Sequence, residues 1–153
     1  MGRRIERAIG ACRFARHFAE PVEIADDLDT LLDLGDSQIT YRARYLAGLA
    51  VAPVRDLVLL DPFNPRSVAF QVERIGEHLA SLPPLVDDGM IEEPRRLHMR
   101  LASDLSTASA ADLDPKRIFV IEQNLLSLAE AIAARYFQHG PNAARVAKNA
   151  GLA

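Results

Sequence analysis

The run Val54–Leu60, VRDLVLL, decides the fold class, and its last four residues are all apolar. A short continuous apolar run suits a strand buried on both faces as well as a short helix. A lone strand would leave its backbone hydrogen-bonding groups without a ladder partner. No second strand candidate occurs anywhere in the 153 residues. Pro53, just ahead, suits the first turn of a helix, where its missing N–H costs nothing. The run is therefore read as a short helix following Pro53.

Outward from this run the apolar spacing is helical. Over Pro65–Leu82, Val68, Val72, Ile75, Leu79 and Leu82 step by four and three and form one stripe. From Pro115 to Gln138 the stripe is Ile118, Ile121, Leu125, Leu128, Ile132 and Tyr136, with Asp114 as N-cap and Gly140-Pro141 as the stop. Shorter helices are expected over residues 22–34 (Ile24, Leu28, Leu31, Leu32), 37–49 (Ile39, Ala43, Leu46, Leu49) and 95–109 (Leu97, Leu101, Leu105). The tract Ser81–Glu93, with Pro83-Pro84 and Asp87-Asp88-Gly89, reads as a loop. The expectation is an all-α bundle of six or seven helices with short connections, centred on the Pro65 and Pro115 helices. Residues 1–140 form a single helical domain, and the tail 141–153 is expected to fray.

The junction after Leu60 reads DPFNPRS. Asn64 is placed as an N-cap with Pro65 at the first helical position, while Pro62 stiffens the approach. Phe63 is expected to staple this corner to the core. Arg66 then falls in a first turn, where the helix dipole disfavours a cation by a few tenths of about 1 kcal/mol. Two readings follow. In one, Asp61 and Arg66 clamp the corner; in the other, Asn64, Arg66, Ser67 and the free amides hold an anion.

A net charge of −3 argues against a general nucleic-acid binder, and Arg3-Arg4 and Arg95-Arg96 read as solvated helix faces. Cys12 is the only cysteine, which excludes an intrachain disulfide and a multi-thiolate zinc site and fits a reducing, cytoplasmic setting. No apolar run reaches the roughly 20 residues that span a bilayer. The glycines form no phosphate-cradling loop, and no cofactor is expected. His17, His78, His98 and His139 lack the three- or four-residue spacing of a helical metal site. Glu77 and His78 are read as exposed polar residues, and Cys12 as a buried structural thiol beside Ile5 and Ile9. No sequence feature supplies a base for Ser67 as a nucleophile.

The best constellation is ionic and aromatic. Tyr41 and Tyr45 share a helix face with Arg44 beside them, and Arg3 and Arg7 share one on the first helix. With Glu6 and Asp61 these arginines could build a polar network inside the bundle, which must be fully paired if buried. Alternatively they form a pocket for a carboxylate or phosphate. The first helix is apolar on two sides: Ile5, Ala8, Ile9 and Cys12 on one, Ala11, Phe14 and Phe18 on the other. With one layer available to cover it, Phe14 and Phe18 are expected to drive self-association as a twofold dimer. Helix from the first residues onward predicts that the chain is a piece of a longer protein.

GRRIERA at 2–8, YRARYL at 41–46 and LLDPFNPRSVAFQ at 59–71 together resemble the bacterial alpha-E domain family, with a weaker final match at AIAARYFQH. The resemblance runs from Gly2 to about His139 and covers the C-terminal half of the usual family length. It implies an all-helical domain with Arg3, Glu6, Arg7, Tyr41, Arg44, Tyr45, Asp61, Asn64, Arg66 and Ser67 as the matching positions and no established chemical roles. Family members are encoded beside or fused to circularly permuted ATP-grasp and transglutaminase-like proteins. That implies a non-catalytic accessory or interaction domain of a peptide-synthesis or peptide-modification system. The alternative is an enzyme domain that forms or cleaves amide bonds with a Glu/Arg pocket.

Overall fold

A computed structural model describes residues 1–18, 24–45, 48–83 and 89–137. Among these, seven α-helices and no strand occur: α1 (Gly2–Phe18), α2 (Ile24–Leu34), α3 (Gln38–Arg44), α4 (Val51–Arg55), α5 (Val68–Ala80), α6 (Glu93–Thr107) and α7 (Pro115–Tyr136). The all-α expectation holds. The segment 84–88, the Gly140-Pro141 stop, Leu46, His139 and the tail 141–153 lie outside the described residues.

VRDLVLL is helical, but not in the simple form expected. α4 begins at Val51, with Pro53 inside its first turn, and passes into a π-helical turn over Asp56–Leu60. The Asp61 amide donates to the Asp56 carbonyl, five residues back, at 2.9 Å. Leu57, Val58 and Leu59 are all buried. A wide turn packed on several sides needs apolar residues at consecutive positions, which explains its strand-like look.

Four helices close a ring: α1 packs on α5 and α7, and α6 packs on the same two from the far side. α2 and the π-helical turn cover the remaining side of α1. The centre is therefore α1 rather than the α5–α7 pair. Its two-sided apolar pattern has its cause within the chain. Ala8, Ala11, Cys12 and Ala15 are buried, and their small side chains let the neighbouring helices approach. The expectation of a single covering layer is thus corrected, because α2 and the π-helical turn supply the second.

The predicted stripes of α5 and α7 are buried as expected, with Leu82 and Tyr136 packed partly exposed at the edge of the core. α3 departs from its stripe. Tyr41 is buried, Ile39 is 87% exposed and Ala43 is exposed. A seven-residue helix held on one side buries little more than one large side chain. Asp114 caps α7 as read, accepting from the Arg117 amide at 2.7 Å. The tight end of α2 puts Asp36 at φ +48°, a conformation that Asp tolerates better than most residues.

In the basic clusters Arg3 and Arg96 are exposed as expected, while Arg4 and Arg95 are less solvated. Arg4 donates to Gln71 Oε1 at 3.2 Å, and half-buried Arg95 donates to the carbonyls of Leu79 and Leu82, at 3.3 Å each.

Candidate functional site

The DPFNPRS corner is a set of local hydrogen bonds. α5 starts at Val68, and its cap is Ser67, whose Oγ accepts from the Phe70 amide at 3.0 Å. Asn64 therefore does not cap α5 and Pro65 does not open it. Asn64 is buried one turn earlier: Nδ2 donates to the Leu57 carbonyl at 2.8 Å and to Ser37 Oγ at 3.1 Å. Its Oδ1 accepts from the Arg66 amide at 3.1 Å, an Asx turn that sets the bend. Ser67 Oγ also donates to the Asp61 carbonyl at 2.5 Å, so the hydroxyl is fully used and sits at 0% exposure. Phe63 is no staple, being 81% exposed.

The Asp61–Arg66 clamp does not form. Asp61 is buried and pairs with Arg44, while its Oδ1 accepts from the Phe63 amide at 2.8 Å. Arg66 instead pairs with exposed Asp36. The turn directs the two side chains of the corner to different partners. Tyr41 and Tyr45 do share a face with Arg44 beside them, their ring centroids 4.8 Å apart. The Tyr41 hydroxyl donates to the Gly48 carbonyl and accepts from the Ala50 amide, at 3.3 Å each. Tyr45 hydrogen-bonds to the Asp56 carboxylate. Burial, then the Asp61 charge, raises the Asp56 carboxyl above its ordinary value, opposed by the Tyr45 bond and Arg44. Burial, then Asp56, likewise raises the Tyr45 phenol.

Arg3, Glu6 and Arg7 do not join Asp61 in a buried network. All three are exposed on α1. They line an open cleft of about 390 Å³, whose opposite wall carries Leu34, Gly35, Asp36 and Arg66. Phe14 also lines this cleft and is 38% exposed. Phe18 is half-buried against the core, so the expected pair of exposed rings is reduced to Phe14. The candidate residues thus fall into two groups. Arg3, Glu6, Arg7 and Arg66 face the cleft; Tyr41, Arg44, Tyr45, Asp61, Asn64 and Ser67 hold the corner. Arg44 does not line the cleft.

Three features escaped the sequence reading. Glu122 on α7 is buried and binds Arg13 at 2.8 Å and Arg16 at 3.2 Å, pinning α1 to α7. Gln71 is buried and links the Pro65 carbonyl to Arg4, tying the corner to α1. Glu92 accepts from Arg135 at 2.5 Å and from the Tyr136 hydroxyl at 3.1 Å. Gln71 carried the one available signal, a polar residue beside the apolar stripe of α5. Cys12 is a buried thiol pushed up to about 12, by burial first and then by Glu122, so it stays protonated and inert. Among the described residues no group of three or more His, Cys, Asp or Glu could hold a metal ion. No helix there is long and apolar enough to cross a membrane.

Residues 1–137 match the Alpha-E family, described as a predicted alpha-helical domain with a conserved ER motif. Similar curated proteins are uncharacterized proteins of Mycobacterium tuberculosis (strains H37Rv and CDC 1551) and Mycobacterium bovis. Each is 33% identical over 90 residues, covering 54% of this chain and 10% of the relative. The aligned part thus spans about a tenth of the length of these relatives. No solved structure matches. The Glu6-Arg7 dipeptide of GRRIERA fits the motif in that description and lies on the open cleft. With nearly its whole length matched and an all-helical fold, the chain belongs to the Alpha-E family.

Proposed function

We propose that the chain is a helical accessory and interaction module, without catalysis of its own, serving an ATP-grasp-type or transglutaminase-like partner in peptide synthesis or modification. The partner class comes from the family resemblance. One observation carries the reading of the chain itself: the corner and the cleft use the same residue types for opposite ends. Asp61, Asn64 and Ser67 are buried and bonded within the fold. The Glu6 and Arg7 side chains face outward on an open cleft and form no hydrogen bond or ion pair among the described residues. Exposed charges without internal partners add little to folding, so their value lies in meeting something else.

The test is co-purification of the protein with an ATP-grasp-type protein and a transglutaminase-like protein from the same organism. Wild type should retain one of them, and Arg7→Glu should lose it with unchanged helical content. Retention of neither by wild type would overturn the reading. An amide-forming or amide-cleaving enzyme is the second reading, favoured by the placement of Glu6, Arg7 and Arg66 around one cleft. Its mark is a Glu6→Gln variant that keeps the partner and loses amide turnover.

A further inference from the structure

We infer that the α1 cleft binds an acidic peptide segment in which a carboxylate side chain is followed by a large apolar one. This rests on the interaction-module reading and assigns the chemistry of what its cleft receives. Arg3 and Arg7 lie one turn apart on the same helix face, and Arg66 stands on the opposite wall. Neither the Arg3 nor the Arg7 side chain forms a hydrogen bond or ion pair among the described residues. Arg66 is only partly neutralised, since its partner Asp36 is itself 72% exposed.

The placement of Arg3 makes that lack of a partner unfavourable. The first turn of α1 holds no acidic residue and carries the positive end of a 17-residue helix dipole. Adding arginines there raises the local positive potential with no return in folding. A carboxylate between Arg3, Arg7 and Arg66 would relieve it, with guanidinium forks suited to bidentate contact.

The remaining lining decides what else the ligand carries. Phe14 and Leu34 present apolar surface at the same cleft, 38% and 47% exposed. Gly10 has open space where a side chain would begin, which keeps the floor low. A volume of about 390 Å³ suits a short peptide motif. Glu6 and Asp36 set the upper limit on charge. Two carboxylates among three arginines leave a surplus of one, which matches a single carboxylate and disfavours a polyphosphate backbone. The whole chain is also net negative, at −3.

The experiment is fluorescence anisotropy on the full chain with a fluorescein-labelled hexapeptide of alternating glutamate and leucine. Its lysine–leucine counterpart and a labelled oligothymidylate serve as further probes. The glutamate–leucine peptide should bind saturably, weaken at least about tenfold in Arg7→Ala or Arg3→Ala, and weaken also in Phe14→Ala; the lysine peptide should not bind. Circular dichroism of each variant should match wild type, because these side chains are exposed. No saturable binding by the glutamate peptide, or binding untouched by Arg3→Ala and Arg7→Ala, would overturn the inference. So would an equal or tighter, Arg7-dependent complex with oligothymidylate. A protein partner lost on Arg7→Glu with no peptide binding would refute the acidic-peptide assignment while leaving the module reading intact.

Discussion

At the Asp61–Ser67 corner each polar side chain has a partner within the fold, whereas Arg3, Glu6 and Arg7 on α1 have none among the described residues. The two regions are built from the same kinds of residue and are bridged by Arg66, whose amide belongs to the corner and whose guanidinium faces the cleft. Burial makes the difference. A buried amide must be satisfied or it costs about 1–3 kcal/mol, and a buried carboxylate costs more, while an exposed charge is satisfied by water. The corner therefore reports on folding, and the cleft is free to report on recognition.

The largest stability effect should come from Asn64→Ala. It removes a buried side chain with three hydrogen bonds and orphans the Leu57 carbonyl. A loss of about 3 kcal/mol in urea denaturation is expected. A loss below about 1 kcal/mol would mean that Asn64 does not organise the corner.

Arg44→Ala should cost about 2 kcal/mol. This is less than a fully buried pair, because the Arg44 side chain is 40% exposed and Asp61 keeps its bond to the Phe63 amide. A double-mutant cycle sharpens the result: Asp61 should couple to Arg44 and show no measurable coupling to Arg66. Coupling to Arg66 instead would restore the clamp that the sequence suggests.

Asp56 tests the corner through pH. Burial and the Asp61 charge raise its folded-state pKa above 3.8, so folding disfavours the ionised form. Below 3.8 it is protonated in both states and contributes nothing; as pH rises through the folded value, stability falls. Asp56→Asn should therefore stabilise the protein at about pH 7 and have no such benefit at about pH 3. Equal effects at both values would remove Asp56 as the destabilising group. The smallest effect concerns Phe14, the ring left partly exposed on α1. Phe14→Glu should shift sedimentation towards monomer if α1 also mediates self-association, and an unchanged profile would remove that contact.

The helices were legible because burial repeats at helical spacing. Val68, Val72, Ile75 and Leu79 point inward together, and Asp114-Pro115 carries its own start signal. The corner was legible as a corner but not in its pairing. Asn64 and Ser67 are both good caps three residues apart, and local sequence cannot tell which one the chain uses. The choice depends on Leu57 and Ser37, which only the fold brings to Asn64. Arg44–Asp61 and Glu122–Arg13 were hidden for the same reason, spanning 17 and 109 positions. The cleft was half visible. GRRIERA marked α1, while the facing Asp36 and Leu34 carried no motif.

The most direct test is urea denaturation of Asn64→Ala beside the Arg3→Ala/Arg7→Ala double variant. The expected result is an unfolding free energy lowered by about 3 kcal/mol for the first and unchanged within about 0.5 kcal/mol for the second. A double variant as unstable as Asn64→Ala would show that the α1 arginines serve folding, and would contradict the division between corner and cleft.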